Sequence, residues 1–192
     1  MQTLHDKIFI IEDFISIDSA ELLVEKFSVD LKPTEKNHIL SGITIGDKTA
    51  GKIFGQYKIS EYNDHNKIAV DLLTSLCANM EKTVSNIYKK DLVLKSIFFS
   101  CMEPESSNSL HYDNIRSIDE NDYSGLLYLT DDYSGGNLYF PAQKLDLHPK
   151  AGTFITFIGT EDIEHEVKQV IEGNRINLIC FFIQKELNDY SK

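Results

Sequence analysis

The chain has 192 residues, 42% of them apolar, and a formal net charge of −11. That length supports a sizeable core in a single domain, residues 1–192. The acidic balance argues against broad electrostatic binding to nucleic acid or to an anionic membrane, because both need basic surface.

Residues 7–12 read as a short strand. Residues 16–27 read as a helix, N-capped by Ser16 or Asp18, with Ala20, Leu22, Leu23, Val24 and Phe27 as its apolar stripe. Residues 28–60 lack helix periodicity and are punctuated by Gly42, Gly46, Gly51 and Gly55. They predict a long loop or a weak hairpin, either a lid carrying Phe54 and Tyr57 or a plain surface insertion. Residues 66–88 give the best helix pattern, with Ile68, Leu72, Leu76, Met80, Thr83 and Ile87 as the core stripe. A strand is predicted over 92–102, then a polar loop from Glu103 to Ser109. Short strands follow at 110–113, 124–130, 136–140, 153–158, 164–170 and 175–184. Asp122-Tyr123-Ser124-Gly125 recurs as Asp132-Tyr133-Ser134-Gly135, read as two similar turns entering neighbouring strands. Many short strands after two helices predict an α+β fold with a closed or double-layered β structure and helices on one face.

Cys77, Cys101 and Cys180 are too few and too scattered for a disulfide framework or a zinc site, and Cys180 reads as a small core residue. The first residues lack a basic segment followed by an apolar one, and no run approaches the roughly 18 apolar residues of a membrane span. The expectation is a cytoplasmic protein with no membrane or nucleic-acid partner.

The chemistry-bearing residues lie late. His111-Tyr112-Asp113 places two ligand types two apart, which on a strand points both to one face. His165 follows, and ten residues later Arg175 opens an apolar strand. Two histidines and a carboxylate with open positions form the facial triad of non-haem Fe(II) oxygenases. A buried guanidinium needs an anionic partner, either a ligand carboxylate or an internal acid. Asn114 reads as support for Asp113 or a turn residue, and Asn177 shares a strand face with Arg175. Glu164 and Glu166 should point away from the metal. His5, His38, His65 and His148 read as ordinary surface or core histidines.

Over residues 92–184, and more loosely along the whole chain, the sequence resembles the 2-oxoglutarate- and Fe(II)-dependent dioxygenases of the prolyl 4-hydroxylase type. Gly125–Thr130, Ser134-Gly135-Gly136-Asn137-Leu138-Tyr139-Phe140-Pro141, Pro149–Phe157, His165-Glu166-Val167 and Gly173-Asn174-Arg175-Ile176-Asn177-Leu178 carry the likeness. It implies a double-stranded β-helix (jelly-roll, cupin-like) core with N-terminal helices packed on one face. It implies Fe(II) held by His111, Asp113 and His165, with 2-oxoglutarate held through its distal carboxylate by Arg175 and Tyr128. Oxygen would be the second co-substrate and ascorbate a reductant. Members of the family often carry a tyrosine about ten residues before the first ligand, where this chain has Cys101.

The resemblance implies hydroxylation of an unactivated C–H bond, with proline in a peptide or protein first among substrates. A free amino acid or small metabolite is the alternative substrate, and a non-catalytic cupin-like metal-binding module the alternative role. A hydrolytic metalloenzyme is disfavoured, since no HExxH or second ligand cluster is present.

Overall fold

The computed structural model describes residues 1–28, 43–45, 53–56, 67–113 and 122–185. Two helices and two main antiparallel sheets form three layers. Helix α1 (Ile17–Ser28) starts where the Ser16 hydroxyl accepts the Ser19 amide at 3.2 Å, the expected cap. Helix α2 spans Lys67–Tyr88. The strands are β1 (Gln2–His5), β2 (Ile8–Ile11), β3 (Ile43–Ile45), β4 (Ile53–Gln56), β5 (Leu92–Met102), β6 (Ser106–His111) and β7 (Asp122–Tyr128). They continue as β8 (Ser134–Gly135), β9 (Leu138–Phe140), β10 (Leu145–Leu147), β11 (Phe154–Gly159), β12 (His165–Val167), β13 (Val170–Glu172) and β14 (Arg175–Gln184).

The larger sheet runs β1-β2-β11-β7-β14-β5-β4, the smaller β10-β9-β12-β6-β3, and β8 pairs β13 separately. Strand alternation gives the larger sheet two different apolar faces. Ile176, Leu178, Cys180 and Phe182 of β14 pack with Leu127 of β7 against Ala20 and Leu23 of α1 and Leu76, Met80 and Val84 of α2. On the opposite face Leu126, Tyr128, Ile155 and Phe157 meet Leu138, Phe140 and Val167 of the smaller sheet. Each fully buried side chain of this size stabilises the fold by about 1.5–3 kcal/mol. The second core lies between the sheets, and its Met102, Leu126, Leu138 and Val167 reach into the lining of the cleft described below.

Several expectations are corrected. Residues 43–45 and 53–56 are strands that pair not with each other but with β6 and β5, one on each sheet's edge. The rest of 28–60, including Tyr57, the side chain of Phe54, and also Asn114, lies outside the described residues. The α2 stripe is rotated: Leu73, Leu76, Cys77, Met80 and Val84 are buried, while Ile68 is 70% exposed. The expected polar loop before His111 is largely strand β6, and β1 and β10 were not anticipated. Asp122–Gly125 is not a turn but part of the central strand β7, whereas Ser134–Gly135 forms the short β8. Strands β5 and β14 match the expected ranges 92–102 and 175–184.

Candidate active site

An open cleft between the two sheets, about 470 Å³ including its mouth, gathers the predicted site residues. Its walls come from β5 (Ser100, Met102), β6 (Asn108, His111), β12 (His165, Val167) and β14 (Arg175, Asn177, Ile179, Phe181), with Asp113 beside them. His111 ends β6 and His165 begins β12, and the two are direct partners in the antiparallel ladder. Both rings therefore leave the sheet on one side, with centroids 4.4 Å apart. Asp113 lies two residues beyond the end of β6 rather than on it. Ser124 of β7, in the other sheet, anchors it by donating a 2.7 Å hydrogen bond to Oδ2.

The histidine tautomers follow from their neighbours. His111 Nδ1 lies 2.6 Å from the Ser109 carbonyl and His165 Nδ1 lies 3.3 Å from the Ile163 carbonyl. A carbonyl only accepts, so each Nδ1 carries the hydrogen and each Nε2 turns a lone pair into the cleft. Those lone pairs face the carboxylate: His111 Nε2 is 3.3 Å from Asp113 Oδ1 and His165 Nε2 is 3.8 Å from Oδ2. Three acceptor groups converging in this way are stable only with a cation among them. Without a metal, a proton serves. Burial would lower the His111 pKa, but the hydrogen bond and charge of Asp113, with the Ser109 carbonyl, raise it. Burial would raise Asp113, but the His111 hydrogen bond, the charges of both histidines and Ser124 hold it below the usual carboxylate range. Burial depresses His165, which favours its neutral, ligating form. The three ligand atoms lie within 4.8 Å of one another. Two neutral imidazoles and a carboxylate with open positions suit Fe(II), so the residues present fit the metal.

Arg175, the first residue of β14, is 1% exposed. Its Nη2 donates to the Tyr128 hydroxyl at 2.7 Å and its Nη1 to Asn177 Oδ1 at 3.1 Å and to Met102 Sδ at 3.5 Å. Asn177 stands directly opposite Tyr128 in the β14–β7 ladder, which brings the three polar groups together. Among the described residues no carboxylate pairs with Arg175. Its Nε and the Asn177 Nδ2 are buried without hydrogen-bond partners. Because the Tyr128 oxygen accepts from Arg175, its own proton is free to donate. A cation with unused donors, buried beside a second donor, fits a bound carboxylate. Gly136 permits this packing: its φ is +62°, and a Cβ there would lie 3.2 Å from Arg175 Cδ.

Cys101, at the position where a tyrosine was expected, packs against the helix-side core rather than the cleft. Its neighbours Ser100 and Met102 face the site instead. Asn108, Ser100, Met102 and Ser124 went unread in the sequence. Ser, Asn and Met at strand positions carry no signal of their own, and only strand phase reveals them. Glu164 and Glu166 are half-buried and do not line the cleft, as expected.

Residues 97–183 match the family model of the 2OG-Fe(II) oxygenase superfamily. No curated relative matches the sequence. A viral collagen prolyl hydroxylase from Paramecium Bursaria Chlorella virus-1, solved with 2OG, is similar in structure with TM-score 0.65 and 15% identity, covering 92% of this chain and 95% of that one. A Pseudomonas putida prolyl-4-hydroxylase is similar with TM-score 0.64 and 18% identity, covering 93% of each chain. A Trichoplax adhaerens prolyl hydroxylase, in complex with a hypoxia inducible factor oxygen degradation domain peptide fragment, is similar with TM-score 0.62 and 14% identity, covering 97% of this chain and 88% of that one. At these identities the structural likeness shows the fold, a double-stranded β-helix core, and the family model carries the chemistry. Over residues 97–183 the chain is similar to the 2OG-Fe(II) oxygenase superfamily, His111, Asp113 and His165 form a group that could hold Fe(II), and the fold is that of the structurally similar prolyl hydroxylases, which together support a dioxygenase using Fe(II) and 2-oxoglutarate.

Proposed function

We propose that this enzyme hydroxylates proline in a peptide or protein. His111, Asp113 and His165 hold the iron, and Arg175 with Tyr128 holds the distal carboxylate of 2-oxoglutarate. The observation that carries the co-substrate role is the buried Arg175, without an acid among the described residues and in one cleft with the triad. When bound, iron and 2-oxoglutarate supply the oxidation: oxygen is consumed, succinate and carbon dioxide form, and a C–H bond becomes C–OH. The chain's own residues do the rest. Ser124 and the two backbone carbonyls fix the ligands, and Arg175, Tyr128 and Asn177 fix the orientation of the acid. Leu126, Leu138, Val167 and Ile179 give the cleft an apolar lining that keeps water from the reacting centre.

Peptidyl proline is favoured over a free amino acid by the open cleft and by structural neighbours that are prolyl hydroxylases, one of them holding a peptide. The test is succinate formation with Fe(II) and 2-oxoglutarate against panels of proline-containing peptides and free amino acids, with mass spectrometry for a gain of one oxygen on proline. Coupled turnover of a free amino acid with none of any peptide would replace the peptide reading. A protein that never consumes 2-oxoglutarate would reduce it to a metal-binding module.

A further inference from the structure

We propose that Asn108 is a specificity-determining residue whose carboxamide reads a substrate presenting an N–H donor beside a carbonyl or carboxylate oxygen. This rests on the oxygenase reading above and names what that cleft recognises. The first observation is a bulge. Between the pairs His165–His111 and Val167–Asn108, β12 advances two residues while β6 advances three. One extra residue in β6 shifts the strand's phase, so Asn108 and His111 both face the cleft although they are three apart. In a regular strand one of them would face outward.

The second observation is how the carboxamide sits. Asn108 Nδ2 lies 3.5 Å from His111 Nε2, the nitrogen that turns its lone pair into the cleft. The carboxamide sits with its nitrogen toward His111. Asn108 Oδ1 is then buried with no hydrogen-bond partner among the described residues. Once a metal takes the Nε2 lone pair, the amide N–H loses its acceptor as well. Both ends of the carboxamide, on a residue that lines the cleft, then need partners.

The known reactants cannot supply both. 2-Oxoglutarate as a dianion offers only acceptors, and dioxygen carries no hydrogen, so neither satisfies Oδ1. A peptide satisfies both ends, with a backbone carbonyl accepting from Nδ2 and a neighbouring N–H donating to Oδ1. A free amino acid offers the same pair through its carboxylate and ammonium. Leaving either end unpaired in the cleft carries a desolvation cost, which turns the pair into a selection against substrates lacking one group.

The experiment compares wild type with Asn108→Ala, and with Asn108→Ser should the alanine variant melt early. Mn(II) affinity is read by electron paramagnetic resonance on the protein alone, and the KM for 2-oxoglutarate from its uncoupled decay. The substrate probe is the best-used member of a panel of proline peptides and free amino acids. For a peptide, a second copy carries an N-methyl group on the amide following the hydroxylated residue. Asn108→Ala should raise substrate KM about tenfold while kcat, Mn(II) affinity and 2-oxoglutarate KM stay within about twofold. N-methylation should cost wild type about tenfold and the variant nothing further. For a free amino acid, its fully N-methylated betaine, which carries no N–H, plays the same part. An Asn108→Ala protein with weakened Mn(II) or 2-oxoglutarate binding and unchanged substrate KM overturns the proposal, as it would if Asn108 served a metal-bound water. So does a variant indistinguishable from wild type, or a wild type that consumes 2-oxoglutarate but uses neither substrate class. Absence of any metal-dependent 2-oxoglutarate binding in wild type marks instead a failure of the oxygenase reading.

Discussion

His111 and His165 face each other as direct partners across the β6–β12 ladder, ring centroids 4.4 Å apart. A backbone hydrogen-bond pattern, not a flexible loop, therefore sets the spacing of two of the three ligands. His111→Ala and His165→Ala should each abolish turnover and weaken Mn(II) binding at least 100-fold while the circular dichroism spectrum stays native. Either variant with undiminished 2-oxoglutarate decay removes that histidine from the ligand set.

Asp113 depends on Ser124 across the gap between sheets. Ser124→Ala deletes a buried 2.7 Å hydrogen bond to a carboxylate and leaves the three ligands in place. Metal affinity should drop about 10- to 100-fold, with turnover recovering at raised Fe(II). Loss that added Fe(II) cannot restore would show a packing defect instead.

Arg175 and Tyr128 should differ in weight. Arg175→Ala removes the only cation facing the cleft among the described residues and strands Asn177 Oδ1, so the 2-oxoglutarate KM should rise more than 100-fold. Arg175→Lys should be milder but clearly impaired, since an ammonium cannot reproduce the fork. Tyr128→Phe deletes one hydroxyl and should cost about 1–2 kcal/mol in co-substrate binding. A larger effect of Tyr128→Phe than of Arg175→Ala would mean the roles are reversed. Gly136→Ala should act on the same pocket, because φ of +62° is strained for alanine and the methyl presses on Arg175 Cδ. Its signature is a raised 2-oxoglutarate KM with Mn(II) affinity intact.

Alkaline pH should weaken the fold. Burial, with the charge of Glu81 adding, pushes the Cys77 thiol up to about 11. Burial also raises Cys180, Tyr88, Tyr123, Tyr128 and Tyr133. Unfolded, the Cys77 thiol loses its proton near pH 9; folded, it keeps it to about 11. Within that window the unfolded state binds fewer protons, so stability present below pH 9 is lost as pH rises. Cys77 alone should account for about 2–3 kcal/mol by pH 11. Urea midpoints at pH 8 and pH 10.5 measure this, and Cys77→Ala should flatten the slope. Equal midpoints for wild type would show that these groups are hydrated in the native state.

The sequence reading was sharpest where a strand is buried on both faces. Strand β14 is buried on both faces and apolar apart from Arg175, Asn177 and Gln184, the less buried β5 is apolar apart from Lys95, Ser96 and Ser100, and their ends fall where the pattern stops. The triad was legible because its residue types have few other uses together. β6 was not: Ser106-Ser107-Asn108-Ser109 is polar throughout, with Asn108 facing the cleft, so it lacks the apolar alternation that marks a strand. In α2 two stripes share Leu76 and Met80, and only packing against the sheet selects the one through Leu73, Cys77 and Val84 rather than through Ile68. Cys101 stands where the family resemblance puts a tyrosine, and strand parity turns it toward the helices.

The extra residue in β6 separates two jobs that a regular strand would tie together. On one side of it the chain holds the ligand His111, on the other it presents Asn108. Were the bulge moved past Asn108, Asn108 and His111 would stand three apart in a regular strand, and Asn108 would turn out of the cleft while His111 keeps its partner His165. The position of one bulge, more than any substitution in the wall, is thus a direct route by which a protein of this build could trade one recognition surface for another while keeping its iron.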